Sequence, residues 1–84
     1  MQTIRLLLLD DHTLFRESLS RLLDAEPDFE MVADCPTVEE AIEILKTRPV
    51  DLVLLDYDLG PQRAPDFLSR ARALGFKPDR KSVV

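Results

Sequence analysis

Residues 4–11 read Ile4-Arg5-Leu6-Leu7-Leu8-Leu9-Asp10-Asp11, and residues 50–56 read Val50-Asp51-Leu52-Val53-Leu54-Leu55-Asp56. Each is a short apolar run that ends in acid. Runs of this length without strict alternation suit strands covered on both faces, as in a parallel sheet. If the two strands are neighbours, Asp10, Asp11 and Asp56 meet at one edge of that sheet. Like charges at such range repel, so the cluster requires a cation or shared protons. A hard divalent ion with oxygen ligands meets that need.

The intervening sequence alternates with these runs. Phe15, Leu19, Leu22 and Leu23 recur at i, i+4, i+7 and i+8, which predicts a helix over residues 13–24 with those four side chains on its buried face. Pro27 ends the pattern. A second strand is expected over residues 29–34. Thr37-Val38-Glu39-Glu40 matches a capping box, opening a helix whose inner side carries Val38, Ala41, Ile42 and Leu45. Pro49 closes it and introduces the strand at 50–55. Gly60 and Pro61 mark a loop over 58–64. Pro65 suits the first turn of a third helix, with Phe67, Leu68, Ala71 and Leu74 as its stripe and Gly75 as its stop. An apolar strand begins again at 81–84. Strand–helix alternation with short connections predicts parallel pairing through right-handed crossovers, and so an α/β fold with one open, doubly wound sheet.

Size and composition set the outer bounds. Eighty-four residues make one small domain, read as 1–84 without a linker or repeat. The chain is 45% hydrophobic and 32% charged, a globular balance. Its 16 acidic and 11 basic residues give a net charge of −5, which argues against direct binding to nucleic acid and suits a cation or a basic protein partner. A single cysteine, Cys35, excludes an internal disulfide and is compatible with a reducing compartment. The apolar stretch Leu6 to Leu9 is too short for a membrane span or signal peptide. These features read as a soluble, cytoplasmic protein.

In open α/β sheets, ligands bind beyond the carboxyl ends of the strands. A Mg²⁺ ion there would be held by one or two carboxylates and a backbone carbonyl, keeping several waters. It would neutralise the cluster and hold a phosphoryl oxygen, leaving a carboxylate free to act as nucleophile and form an aspartyl phosphate.

The Leu-Leu-Asp10-Asp11-His12 segment, the strand ending in Asp56 and the strand–helix spacing resemble a response-regulator receiver domain of two-component signalling. The Asp10-Asp11-His12 form and the loop Asp56-Tyr57-Asp58-Leu59-Gly60 are most similar to LuxR/NarL-type regulators, which carry a helix-turn-helix output domain. The acidic pair and an acceptor 45 positions after Asp11, each closing an apolar strand, form a specific combination. The resemblance implies a flavodoxin-like receiver fold. It implies Asp56 as phosphoacceptor for a histidine kinase, Asp11 as a direct Mg²⁺ ligand, Asp10 acting through water, and the main-chain carbonyl of Asp58 as a third ligand. Such a module is a binding and switching unit and not an enzyme in its own right.

The sequence also departs from the family. Gly60 stands where a proline is usual, and Ala64 where a glycine is common. Receivers place a Ser or Thr at the end of the fourth strand and a Lys at the end of the fifth, both touching the phosphoryl group; this sequence stops at Val84 before either. The expectation is a receiver without its last strand and helices, binding Mg²⁺ but impaired as a switch. Lys46, Lys77, Lys81 and Ser82 fall towards the wrong end of the sheet to replace the missing pair.

Two other functions are open on the sequence. Asp56-Tyr57-Asp58 also resembles the nucleophile motif of haloacid-dehalogenase-type phosphatases, although there it follows the first strand. A shortened receiver would also serve as a non-switching association module, forming a homodimer through the edge of its fourth strand at Ser82 to Val84. The simpler readings of single residues are a solvated strand-to-helix turn for Asp10 and Asp11 with Asp11 or Thr13 capping the helix, a partly exposed turn residue for His12, a small buried filler for Cys35, and a core or core-edge position for Phe15, Phe29, Phe67 and Phe76. Arg63, Arg70, Arg72, Lys77, Arg80 and Lys81 read as a solvated basic face.

Overall fold

Strands β1 (Ile4–Leu9), β2 (Phe29–Cys35) and β3 (Leu52–Leu55) form a parallel sheet in the order β2-β1-β3. The coordinates are a computed structural model that describes residues 3–55 and 63–76. Helices α1 (Thr13–Asp24), α2 (Val38–Thr47) and α3 (Arg63–Ala73) follow the strands in turn. The predicted strand at 81–84 and the association surface assigned to it lie outside the described residues, as do Asp56, Asp58 and the loop at 58–62.

β1 is the central strand, and its composition explains why. Leu6, Leu7, Leu8 and Leu9 are all buried, so neither face of the strand is left to water. Leu7 and Leu9 face the main core, where they pack with Cys35, Val53, Ala41, Ile42 and Phe67 beneath α2 and α3. Leu6 and Leu8 face the opposite layer, which α1 covers. The double winding expected from the alternation is therefore present.

The register contains one irregularity with a large consequence. Leu6 pairs with Met31 but Leu7 pairs with Ala33, so Val32 is an extra residue in β2. The Val32 carbonyl accepts a hydrogen bond from Arg48 Nη1 at 2.8 Å. Because side chains alternate with period two, one inserted residue exchanges the two faces for everything beyond it. An unshifted ladder would set Asp34 opposite Leu9, in the apolar core. The observed ladder sets Asp34 opposite Leu8 and Cys35 opposite Leu9.

The bounds of α1 and the start of α2 agree with the sequence, and the N-terminal cap of α2 is made as expected. Thr37 Oγ1 accepts the Glu40 N–H at 3.2 Å. Val38, Ala41 and Ile42 are buried on the inner side of α2, and Phe67 and Ala71 on that of α3. Gly75, at φ 91°, adopts the left-handed conformation that ends α3.

Three predicted boundaries need correction. β2 extends to Cys35, one residue past the predicted end, and β3 starts at Leu52 rather than at Val50. Before β3, the Asp51 carboxylate takes the Arg5 N–H at 2.9 Å, a donor that would otherwise seek a strand carbonyl. The Arg5 guanidinium, then its N–H, hold the Asp51 carboxyl below its ordinary value. Helix α3 starts at Arg63, inside the predicted loop, with Pro65 still in the first turn.

The largest error concerns α1. Phe15 is 58% and Leu22 68% exposed, so half of the predicted buried stripe faces solvent. The buried residue of this helix is Arg16, flanked by the partly buried Leu19, Ser20 and Leu23. The predicted and observed stripes share Leu19 and Leu23 and differ by a rotation that turns Phe15 outward and brings in Arg16, about 100° further round the helix. The partners of the Arg16 guanidinium, described below, settle which stripe turns inward.

Cys35 is the buried filler expected at a strand end, 2% exposed. Burial pushes its thiol up to about 11 from an ordinary 9.0, with Glu40 and Asp34 adding to the effect. At pH 8 on the order of one thiol in a thousand is ionised, and only the thiolate is nucleophilic. Iodoacetamide is expected to modify native Cys35 far more slowly than the urea-unfolded chain. The sign for stability follows: the neutral thiol is favoured in the folded state, so its contribution is full below pH 9 and is lost as pH rises towards 11. Equal native and unfolded labelling rates at pH 8 would contradict the burial.

Candidate functional site: an acidic cluster at the carboxyl end of the sheet

The site is built where β1 gives way to α1. Asp10 is the first residue past the ladder, and its N–H donates to the Cys35 carbonyl at 3.0 Å. That bond continues the pairing one step beyond β1 and carries the Asp10 side chain into a buried position, 1% exposed. The carboxylate does not stay unpaired there. Asp10 Oδ1 accepts the His12 N–H at 2.7 Å and lies 3.2 Å from His12 Nδ1. This turn bends the chain into α1, for which His12 is the N-cap residue. Neither Asp11 nor Thr13 has that place.

Asp11 stands further out, with its side chain 36% exposed. Its Oδ1 is 3.2 Å from His12 Nδ1, and its Oδ2 is 3.2 Å from Arg63 Nη1. One ligand atom from each of Asp10, Asp11 and His12 lies within 4.8 Å of the others. Two carboxylate oxygens at that spacing suit a hard divalent ion, which often keeps several waters in its remaining positions.

β3 completes the frame. Leu55 pairs with Leu9 across the parallel ladder. Asp56 follows Leu55 in the chain as Asp10 follows Leu9. Of the four predicted site residues, Asp10 and Asp11 are thus brought together in one cluster, whereas Asp56 and Asp58 lie outside the described residues.

Three functional contacts were not legible as such in the sequence. The Arg16 guanidinium donates to the Asp10 carbonyl at 3.0 Å through Nη1 and to Asp34 Oδ1 at 3.0 Å through Nε. It thereby ties the site turn to β2, and Ser20 adds a hydrogen bond to Asp34 Oδ2 at 3.2 Å. A lone arginine in an apolar-spaced helix gave no signal of this. His12, read as a turn residue, has its ring against both carboxylates; its adjacency to Asp10-Asp11 was the available clue. Arg63, assigned to a solvated face, reaches across from α3 to Asp11. Arg70 is also paired, bridging Asp66 at 3.5 Å and Glu39 of α2 at 3.7 Å.

Residues 6–79 match the response regulator receiver domain family, nearly the whole of the chain. The chain belongs to that family. It is 37% identical to the transcriptional regulatory protein DegU of Brevibacillus brevis over 85 residues, an alignment that takes in 96% of this chain and 34% of DegU. It is 36% identical to the nitrate/nitrite response regulator protein homolog of Haemophilus influenzae over 73 residues, covering 86% of this chain and 35% of that protein. The receiver therefore spans about a third of these two relatives. A solved structure, the signal receiver domain of NarL from Mycobacterium tuberculosis, superposes with a TM-score of 0.76 at 27% identity, over 89% of this chain and 60% of that one. The flavodoxin-like receiver architecture is thereby established.

Receiver sequences also occur joined to other activities. The chain is 34% identical over 75 residues to a protein-glutamate methylesterase/protein-glutamine glutaminase of Chromohalobacter salexigens, covering 89% of this chain but 21% of that protein. Nothing in the fold or in these similarities supports the haloacid-dehalogenase-type phosphatase reading. Among the described residues, no helix is long and apolar enough to cross a membrane.

Proposed function

We propose that this receiver accepts a phosphoryl group on Asp56 from a histidine kinase in the cytoplasm, with Mg²⁺ held by Asp10, Asp11, Asp56 and the main-chain carbonyl of Asp58. The observation that carries the reading is the buried Asp10 beside Asp11 at the carboxyl end of β1, with β3 in register so that Leu55 matches Leu9. It is a binding and switching module rather than an enzyme acting on a separate substrate.

The chemistry follows from the groups. An Asp56 carboxylate oxygen attacks the phosphorus of the donor phosphohistidine. The phosphorus–nitrogen bond breaks, its electron pair stays on the imidazole nitrogen, and that ring takes up a proton. The product is an aspartyl phosphate and a neutral histidine. A bound Mg²⁺ supplies charge neutralisation and a fixed coordination site for phosphoryl oxygen. Asp10 is set for its part by the His12 N–H, and the Asp10 carbonyl by Arg16, so the turn needs little rearrangement to receive the ion.

The test is intact-mass analysis after incubation with acetyl phosphate and MgCl₂. Wild type is expected to gain one phosphoryl group, and Asp56→Asn none. Labelling of Asp56→Asn to the wild-type extent would overturn the assignment.

A further inference from the structure

The cluster already contains a cation of its own. Arg63, the first residue of α3, sets Nη1 3.2 Å from Asp11 Oδ2, across 52 positions of sequence. The two side chains are 59% and 36% exposed, so the pair is open to exchange with ions from solvent. The second Asp11 oxygen is engaged by the His12 ring at 3.2 Å. Both oxygens of the carboxylate assigned to direct metal ligation therefore have a partner before any ion arrives, and the guanidinium of Arg63 is a permanent cation.

We propose that Arg63 is an internal counter-cation that competes with the divalent ion for Asp11 and so sets the receiver's Mg²⁺ affinity. The inference rests on the metal-site reading above. A guanidinium at hydrogen-bonding distance from Asp11 Oδ2 already neutralises part of the carboxylate's charge, and a Mg²⁺ ion drawn in to about 2.0–2.1 Å on the same carboxylate repels it. Ion binding therefore loosens Arg63 from Asp11. Coupling of this kind is reciprocal, so whatever holds Arg63 on Asp11 weakens the ion and the ion frees Arg63. The released guanidinium stays on the first turn of α3, beside the loop that follows Asp56 in sequence. Helix α3 is anchored independently by the buried Phe67 and Ala71, so Arg63 can move without the helix moving.

Isothermal titration of MgCl₂ into the intact chain at pH 8 tests this. Arg63→Gln is expected to bind Mg²⁺ about two- to fivefold more tightly than wild type, the scale set by an exposed ion pair. Arg63→Lys, which keeps the cation, is expected to return most of the way to the wild-type affinity. Arg72→Gln removes the same charge from the far end of α3 and controls for net charge; it is expected to change affinity by less. Equal affinities for wild type and Arg63→Gln, weaker binding by Arg63→Gln, or an equal gain in Arg72→Gln would each overturn the competition while leaving the metal site in place. Absence of Mg²⁺ heat in wild type and every variant would overturn both the metal site and the competition.

Discussion

Asp11→Ala is expected to lower Mg²⁺ affinity by on the order of 100-fold while leaving the fold intact. Removing a charged ligand costs about 1.5–3 kcal/mol, and each 1.4 kcal/mol is a factor of ten. The side chain is 36% exposed and contributes nothing to the apolar core, so folding should not suffer. Arg63 would also lose its partner, which cannot compensate because a free guanidinium near the site repels the ion. Titration calorimetry with MgCl₂ measures the effect, and far-UV circular dichroism confirms the fold. A binding isotherm that Asp11→Ala leaves unchanged would remove Asp11 from the site.

Phe67→Ala is expected to cost about 3–5 kcal/mol, the range for truncating a fully buried aromatic side chain. Phe67 is 0% exposed and the largest of the fully buried side chains among the described residues. It packs from α3 against Leu7, Leu9 and Val53 of the sheet and Ala41 of α2, in the core beneath both helices. A chain of this size has a total stability on the order of 4–13 kcal/mol, so the substitution removes between about a quarter and all of it. Urea denaturation followed by circular dichroism gives the difference directly. A loss below about 1 kcal/mol would mean that α3 is not packed on the sheet as described. Phe67 has no part in the acidic cluster, so this variant should lose Mg²⁺ binding only in proportion to its unfolded fraction.

These two results separate the two halves of the molecule. The core holds the strands in register, and the register presents the acids. Loss of Phe67 attacks the first and loss of Asp11 the second. The distinction matters in a domain whose site lies directly above its core: Leu9 is part of the core, and Asp10, the next residue, is part of the site.

Much of this was legible in the sequence, for identifiable physical reasons. Four consecutive leucines followed by two aspartates suit a strand buried on both faces that ends in acid, because a short apolar run without alternation needs cover on each side. Thr37 with Glu40 fixed the start of α2, since the orphan N–H groups of a helix end need a nearby oxygen. Phe67 and Ala71 marked the inner side of α3 by spacing alone. Periodicity misled at α1, where Phe15 and Leu22 completed an apolar stripe that turned out to face solvent.

What periodicity could not supply is contact between residues far apart in the chain. The extra residue at Val32 exchanges the faces of β2 and so delivers Asp34 to Arg16 instead of burying it against Leu9. That salt bridge, with the bond from Arg16 to the Asp10 carbonyl, sets the rotation of α1 and the shape of the site turn. Arg63 meets Asp11 only because α3 packs back over the sheet. Local patterns determined the elements, their order and the acidic strand ends, since each depends on neighbours within a few residues. Which charges touch was decided by the tertiary structure, because a one-residue change of register or a quarter-turn of a helix costs little in local propensity yet moves every side chain to a new partner.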